Sequence, residues 1–458
     1  MNAFVLALQW VFLLFFIVGT VCALALNLLA IPALRRRAAL QAIGKLPPPY
    51  PGFAPPVSLL VPVCEDEAGI VDHVRGLLAL DYPEFEVLVI SDGARDGSLQ
   101  ALVDAFGLTG FPEVYWRRIT AQPVRTIYHS TMHKNLRVVD KEHGGRADAL
   151  NVGINASRYP LICAVDRRCL LLRDSLRRVA EPFLDDPALV ASASTMGLAS
   201  ARNPIEGITR GAELPSGLTD LMQVVEHLRT LQFSPLGWAA LDASLIVDDA
   251  FTVVRKDAAV EAGGYLRGAV SENMELLARL HRVMRARGDK CPVQFVPEPI
   301  CWAEAPATLG GVKAERMYRQ QGLAQCLHLN AGLLETRHAG GPAGLLAYPF
   351  LMVFECYGPF VELAAYAIML ALWAGGLVSG TDLGVFLVAI FALGLVSSLS
   401  AILLEELSYG VYPQRAQLGR LVLGAVVENV GYRQLVAAWR LIALARYLRG
   451  ERVAVPAY

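Results

Sequence analysis

Acidic side chains follow three apolar segments of this sequence, at the point where each segment ends. Glu65, Asp66 and Glu67 follow the first segment, Asp92 closes the second and Asp166 follows the third. Carboxylates gathered at one edge of a parallel sheet can bind ligand hydroxyl groups or hold a divalent cation. One acid after a strand is ordinary turn chemistry, but three such strand ends indicate a ligand site beyond the carboxyl ends of the strands.

The third strand end combines one carboxylate with two cations, in the run Asp166, Arg167 and Arg168. A pair of carboxylates at this place would hold Mg²⁺ or Mn²⁺ against a diphosphate. Arginine repels such ions, although it can pair with phosphate oxygens directly. We therefore expect a degenerate metal site at Asp166 and no bound cofactor.

The elements that would position these acids alternate between strand and helix. The predicted strands are Val57 to Val63, Glu86 to Ser91, Arg125 to His129 and Leu161 to Val165. The predicted helices between them are Glu67 to Leu80, Ser98 to Phe106 and Arg146 to Ala156. This alternation predicts an α/β domain with a mostly parallel sheet. No Gly-x-Gly-x-x-Gly follows the first strand, which argues against a dehydrogenase-type dinucleotide fold.

The composition is too apolar for an ordinary soluble protein. Of the 458 residues, 54% are hydrophobic and 18% are charged, and the net charge is −1. These values predict contact with the lipid bilayer and no nucleic-acid partner. The eight cysteines include no Cys-x-x-Cys pair, so we expect neither a zinc site nor a disulfide framework, and most cysteines should be buried in a reducing compartment.

Three segments are apolar enough to enter a membrane. Phe4 to Ile31 is followed by the arginines at 35–37, which places its C-terminal end in the cytoplasm. Leu345 to Leu377 is too long for one straight span, and we expect a bent element whose second half crosses the bilayer. Leu383 to Leu404 is the last span.

Apolar residues also recur at helical spacing from Leu418 to Leu448, among several arginines. This pattern favours an amphipathic helix on the cytoplasmic membrane face, with a helix packed on the main domain as the alternative. The chain is thus predicted to be a multi-pass protein of the cytoplasmic (inner) membrane. Its parts are an N-terminal transmembrane helix (1–34), a cytoplasmic domain (50–330), a C-terminal transmembrane region (345–410) and the interfacial helix (415–450).

The motifs around the strand ends resemble those of family-2 glycosyltransferases. The segments that carry the resemblance are Val57 to Val63, Glu65 to Glu67, Ser91 to Ser98, Lys141 to Asn151, Val260 to Tyr265 and Trp302 to Pro306. It covers residues 50–330, and the membrane layout is similar to that of the processive branch, such as cellulose, chitin and hyaluronan synthases. The resemblance implies a GT-A domain inserted between transmembrane helices.

The resemblance also implies a nucleotide-sugar donor, commonly UDP-linked, a Mg²⁺ or Mn²⁺ ion and inversion at the anomeric carbon. Carried over by position, Glu67 and Asp92 would contact the nucleobase and ribose, and Arg146 stands where the family usually has lysine. Asp166 would be the first acid of the Asp-x-Asp metal motif. Its second acid is replaced by Arg168, and Arg167 or Arg168 could instead pair with the diphosphate.

Two further motifs depart from the family pattern. The family's general base is the third residue of a Thr-Glu-Asp or Gly-Glu-Asp triplet, and Asn273 stands in its place here. An amide cannot accept the proton of an acceptor hydroxyl, which leaves the neighbouring Glu272 as a possible substitute. The Gln-x-x-Arg-Trp motif of the processive branch, which contacts the acceptor and the diphosphate, is also missing before Gly322. Tyr318 and Arg319 offer similar chemistry in swapped order.

Asp248 and Asp249 form an acidic pair in a segment that lies near the acceptor in the family. They are candidates for a displaced metal or base site, with a solvated turn or an ion pair to Arg255 or Lys256 as the alternative.

Three functional hypotheses follow from these residues. The leading one is a catalytically impaired glycosyltransferase-like subunit in exopolysaccharide or cell-envelope glycan synthesis. It would form a hetero-oligomer with an active glycosyltransferase or an export component. The second is an active, inverting, metal-independent and non-processive transferase that uses a UDP-sugar. The third is a nucleotide-sugar-binding scaffold or sensor.

Overall fold

The structure, a computed structural model, describes residues 3–43, 54–64, 69–166, 169–199, 214, 217–246, 251–335, 341–408 and 415–451. The strands in these ranges are β1 (Val57–Val63), β2 (Phe85–Asp92), β3 (Leu108–Phe111), β4 (Val124–Ser130), β5 (Leu136–Lys141), β6 (Leu161–Val165), β7 (Leu170–Leu171), β8 (Ala191–Ala199), β9 (Phe251–Arg255) and β10 (Val293–Glu304).

The helices before the C-terminal region are α1 (Ala3–Ile43), α2 (Ile70–Leu78), α3 (Ser98–Phe106), α4 (Arg146–Ala156), α5 (Ser175–Ala180), α6 (Pro182–Asp185), α7 (Leu218–His227), α8 (Ser234–Ala240), α9 (Lys256–Glu261), α10 (Glu272–Ala286) and α11 (Leu309–Leu329). After them come α12 (Gly332–Glu335), α13 (Tyr348–Phe350), α14 (Gly358–Ala374), α15 (Gly380–Ser408), α16 (Arg415–Val427) and α17 (Arg433–Leu448). Short π-helical segments are found at Leu228–Gln232, Ala343–Ala347, Leu351–Cys356 and Glu428–Tyr432.

The strands form one mixed sheet in the order β3-β4-β5-β2-β1-β6-β9-β8-β10-β7. β5, β2, β1 and β6 are parallel neighbours. The sequence predicted β1, β2 and β6 of this group but not β5, and the predicted strand Arg125 to His129 is β4, which is antiparallel to its neighbours. Outside this centre the sheet is mixed, because β8 and β10 are parallel but five other neighbouring pairs are antiparallel. β9 lies antiparallel between β6 and β8, and β3 and β4 add an antiparallel edge.

The central strands are apolar throughout because helices cover both faces of the sheet. On one face, Leu60 and Ile90 pack against Leu150 and Ile154 of α4. The opposite face of the sheet packs against α2 and α3. The four parallel strands end at the same edge, and the register pairs Asp92 directly with Lys141. This edge is where the sequence placed the ligand site.

Two described helices are long and apolar enough to cross a membrane, through Phe4–Arg36 of α1 and through α15. A third span is possible if Ala343–Cys356 and α14 act together, with a bend of 43° between them. Pro359 lies next to this bend and supplies no backbone N–H to the helix. The bend agrees with the broken element that the sequence predicted.

α1 is fixed to two other parts of the chain. A Cβ atom at Gly237 of α8 would lie 2.4 Å from the carbonyl oxygen of Leu26, so the two helices meet backbone to backbone. Farther along α1, Asn27 donates a hydrogen bond of 3.0 Å to Ser400 of α15. The first apolar helix therefore contacts both the sheet domain and the last long apolar helix.

The C-terminal segment differs from the single amphipathic helix that the sequence predicted. It forms α16 and α17, which are separated where Gly431 adopts a φ of 93°. This left-handed conformation suits glycine and interrupts the helix. α17 packs along α11 and α14, and Arg440 donates a 2.7 Å hydrogen bond to Gln320 of α11.

One pair of cysteines also departs from expectation. Cys169 and Cys301 are both buried and joined by a disulfide, with Cα atoms 6.0 Å apart. They meet because β7 pairs with β10 next to both residues, a contact between segments 132 residues apart in sequence. Cys163, Cys291, Cys326 and Cys356 are buried, as predicted.

Candidate functional site

Asp92 holds a glycine loop at the carboxyl edge of the sheet. Its carboxylate pairs with the ammonium group of Lys141, and both side chains are buried. The backbone N–H groups of Gly144 and Gly145 donate to the two carboxylate oxygens at 2.9 and 2.8 Å. Asp92 therefore lies at the predicted site, but these three contacts use it to position the loop before α4.

Lys141 contacts a second buried carboxylate, that of Asp148, at 3.0 Å. Asp148 also pairs with Arg267 at 2.5 Å and accepts a hydrogen bond from the backbone of Gln122 at 3.0 Å. Gly144 is needed here because a Cβ atom would lie 2.5 Å from an oxygen of Asp148. The network ties β2, β5 and α4 together beneath the site.

Arg146 is the first residue of α4 and reaches across the site. Its guanidinium pairs with Glu272 at the start of α10 and lies 3.7 Å from the carboxylate of Asp166 after β6. The Arg146 side chain is 30% exposed, so solvent reaches it, whereas Glu272 is buried. One cation thus lies between carboxylates that come from two different elements.

Asn273 is buried beside this group. Its side-chain oxygen accepts a 3.0 Å hydrogen bond from the hydroxyl of Tyr265. Tyr265 is fixed in turn by Asn151, which exchanges two hydrogen bonds with its backbone at 2.7 and 2.8 Å. The motifs at 141–151 and 260–265 therefore meet around Asn273, the residue that the resemblance predicts to stand at the general-base position.

The predicted acceptor residues of α11 lie close to the same loop. The Tyr318 hydroxyl donates to the carbonyl oxygen of Val270 at 2.5 Å, just before the Ser271, Glu272 and Asn273 triplet. Arg319 pairs with Glu315 of its own helix at 3.5 Å. Tyr318 is thus attached to the loop before α10, while Arg319 follows the helix surface.

The remaining predicted site residues, Glu67, Arg167, Arg168, Asp248 and Asp249, lie outside the described residues. Among those described, the structure brings Arg146, Asp166 and Glu272 together and places Asp92 behind the adjacent loop. Sequence reasoning did not select Lys141, Asp148 or Tyr265 as site residues. Their signal was present only in that all three stand in the segments 141–151 and 260–265, which carry the family resemblance.

The described donor set does not fit a divalent metal. Within the described ranges, no three His, Cys, Asp or Glu side chains are grouped so that they could hold an ion. The carboxylates nearest the expected position, Asp166 and Glu272, both face the guanidinium of Arg146. Mg²⁺ requires several oxygen ligands, and a fixed cation at the same place repels it.

A second charged region lies among the helices. A cavity of about 1030 Å³, including its opening, is surrounded by α1, α14, α15, α17 and the segment Leu228–Gln232, and we call it the helix-bundle cavity. Three arginines line it, each paired with a different glutamate. The pairs are Arg229 with Glu428 at 2.7 Å, Arg433 with Glu362 at 3.1 Å and Arg440 with Glu355 at 3.0 Å.

The parallel strands with a glycine loop and acidic groups at their carboxyl ends are features of a GT-A fold. Residues 58–221 match the family described as Glycosyl transferase family 2. The chain therefore carries a family-2 glycosyltransferase domain, as the motifs indicated.

Two of the similar curated proteins are poly-beta-1,6-N-acetyl-D-glucosamine synthases. The protein from Staphylococcus aureus (strain COL) is 23% identical over 267 residues, which is 58% of this chain and 54% of the relative. The protein from Staphylococcus epidermidis is 22% identical over 267 residues, with the same shares. The chain spans about half the length of the curated relatives it matches.

A solved structure supports the fold. The mannosyltransferase PcManGT from Pyrobaculum calidifontis, in complex with GDP-Man and Mn²⁺, superposes with a TM-score of 0.53. The match covers 96% of this chain and 100% of that chain, at 17% identity. At this level of identity the likeness concerns the fold alone.

Proposed function

We propose that this chain is a membrane-bound, glycosyltransferase-like subunit of exopolysaccharide or cell-envelope glycan synthesis. It retains a donor site for a nucleotide sugar, commonly a UDP-sugar, and is impaired in catalysis. The likeness to poly-N-acetylglucosamine synthases supports the pathway class. The apolar helices support a multi-pass protein of the cytoplasmic membrane with the sheet domain in the cytoplasm.

The observation that carries the proposal is the environment of Asn273. The amide occupies the general-base position and is held by Tyr265. The adjacent carboxylate, Glu272, is buried and already engaged in an ion pair with Arg146. Loss of a general base typically lowers the rate by about 100- to 10,000-fold. An active glycosyltransferase or an export component would be the partner in a hetero-oligomer.

The test is to restore the missing base. We expect Asn273→Asp to raise transfer or hydrolysis of UDP-N-acetylglucosamine by at least about 100-fold over the wild-type chain in lipid nanodiscs. The carboxylate is close to the amide in size, and the Tyr265 hydroxyl can still donate to it. Asn273→Ala is the matched control and should stay at the wild-type rate. Robust turnover by the wild type would refute the impaired-subunit proposal.

A second candidate is an active, metal-independent and non-processive transferase. It is favoured by the position of Glu272, which lies one residue from the expected base and shares a cation with Asp166. This candidate requires wild-type turnover in EDTA and its loss in Glu272→Gln and in Arg167→Ala or Arg168→Ala. Donor binding without turnover, unchanged by Asn273→Asp, would instead favour a nucleotide-sugar scaffold or sensor.

A further inference from the structure

An apolar and cationic surface lies at one edge of the sheet domain. β3 is the last strand of the sheet that the described residues form, and residues 111–118 continue from its end; we call them the edge segment. Val114 and Trp116 are 97% and 80% exposed, more than any other large apolar side chain described between β1 and α12. Phe111 is also exposed. Grouped apolar side chains of this size on a protein surface mark an interaction site.

The exposed apolar side chains lie between two anchored points of the edge segment. On one side, Glu113 pairs at 3.0 Å with Arg137, which is buried. On the other side, the side-chain oxygen of Asn155 accepts hydrogen bonds of 3.0 Å from the backbone N–H groups of Arg118 and Ile119. The segment therefore presents its apolar side chains from a fixed backbone, which reduces the entropic cost of binding a partner.

Exposed and half-buried side chains alternate along the edge segment. Val114 and Trp116 are exposed, whereas Glu113 and Tyr115 are half-buried, and Tyr115 packs against the core. This period of two is that of an extended chain, in which alternate side chains lie about 7 Å apart. A partner in the extended conformation offers its side chains at the same spacing. β3 adds an outer edge, whose outward backbone groups can pair with another strand.

The charge of this edge is opposite in sign to that of the whole chain. Residues 108–134 contain Arg117, Arg118, Arg125 and Lys134 but one carboxylate, Glu113, so that four cations and one anion give +3. The whole chain carries −1. No carboxylate of the described ranges forms an ion pair with Arg117, Arg118 or Lys134. A second copy of this chain would bring like charges together here, whereas acidic side chains are attracted.

We propose that the edge segment and the outer edge of β3 bind an extended segment of a partner protein, in which apolar side chains alternate with acidic ones. Trp116 is the central anchor, because large aromatic side chains contribute most of the binding energy at such surfaces. A lipid surface fits less well, since lipid tails offer no groups that pair with the edge of a strand. The proposal rests on the proposed function only in expecting a protein partner.

The test uses the full-length chain in nanodiscs and three fluorescent synthetic peptides. The first alternates valine and phenylalanine with glutamate, the second has lysine in place of glutamate, and the third has the composition of the first with its apolar residues at helical spacing. We expect the first to bind at least about tenfold more tightly than the other two, measured by fluorescence anisotropy. Its affinity should fall severalfold at high salt, which screens exposed charges.

Substitutions in the edge segment should weaken binding of the first peptide. Trp116→Ala should lower the affinity by at least about tenfold, the loss typical of a central aromatic anchor. Arg117→Ala and Arg118→Ala should each lower it by about two- to fivefold, because both charges are exposed. Leu334→Ala, which truncates an exposed apolar side chain on α12, is the matched control and should leave the affinity unchanged. Thermal unfolding of each variant should match the wild type.

A photoreactive benzophenone side chain in place of Trp116 identifies what the surface contacts. Cross-links to the alternating acidic peptide support the proposal. It is overturned if the lysine peptide binds equally well, if Trp116→Ala leaves the affinity unchanged, or if the cross-links form with disc lipids or a second copy of the chain instead. Rapid turnover of a nucleotide sugar would refute the impaired subunit but would leave these binding results as they are.

Discussion

The site at the carboxyl ends of the strands (Arg146, Asp166 and Glu272) and the helix-bundle cavity both contain buried charged side chains. They differ in the number of carboxylates that each arginine contacts. In the cavity, Arg229, Arg433 and Arg440 each have a glutamate of their own. At the strand ends, Arg146 is shared by two carboxylates. A one-to-one buried pair mainly holds elements together, because removing one partner leaves a costly unpaired charge. A shared cation can exchange one carboxylate for a ligand.

The largest effect is expected where a cavity pair is broken. Glu428→Gln leaves the largely enclosed Arg229 without its buried partner carboxylate, and Glu428 also accepts a 3.1 Å hydrogen bond from Ser398. We expect a loss of about 3–5 kcal/mol in the free energy of unfolding, measured by denaturant titration in detergent. Asp72→Ala, which breaks an exposed pair on α2, is the control and should cause no measurable change.

His281 is a buried side chain that is neutral in the folded chain, so it can be compared with the buried ion pairs. His281 of α10 donates from Nε2 to the carbonyl oxygen of Ser244 at 2.9 Å, and burial lowers its pKa from 6.5 to about 4. The folded chain therefore binds this proton less readily than the unfolded chain. The stability gained is complete above pH 6.5 and is lost as the pH falls towards 4, by up to about 3 kcal/mol.

The measurement compares the unfolding free energies of the wild type and His281→Gln at pH 7 and pH 4.5. Glutamine can donate to Ser244 but does not titrate, so the advantage of the wild type should shrink on acidification. An advantage that stays constant with pH would show that His281 does not titrate in this window.

The smallest loss of stability is expected when one of the two carboxylates that contact Arg146 is replaced. Glu272→Gln leaves Arg146 paired with Asp166 and accessible to solvent, so we expect a loss of about 1 kcal/mol or less in unfolding free energy. If Glu272→Gln destabilises the chain as much as Glu428→Gln, the two regions do not differ in the way proposed here.

Local pattern was enough to predict the elements that carry the site. β1, α3, α4 and β6 begin and end where the apolar runs and helical spacing placed them. The strands β3, β5 and β7 to β10 were not predicted, and the pairing of β7 to β10 joins segments distant in sequence and follows from the sheet as a whole. The parallel pairing of β1 with its neighbours could be anticipated from alternation, whereas the antiparallel insertion of β9 could not.

The sequence predicted which residues belong to the candidate site, but it did not predict which of them contact one another. Asp92, Arg146, Asp166 and Glu272 were all selected from motifs, and the structure adds that one guanidinium bridges the last two. Arg146 and Glu272 are 126 residues apart, and no periodicity in the sequence links them. The role of Asp92 also changed, because only the folded loop reveals that its oxygens are occupied by Gly144 and Gly145.

The backbone contact between Leu26 and Gly237 has a consequence for how the chain is made. If α1 spans the bilayer, as its length and composition allow, it leaves the ribosome more than 200 residues before the surface that receives it exists. Until α8 and then α15 follow, the polar Asn27 lacks its partner Ser400. We expect this interval to be the stage of synthesis at which the protein depends most on insertion factors and is most exposed to quality-control proteases.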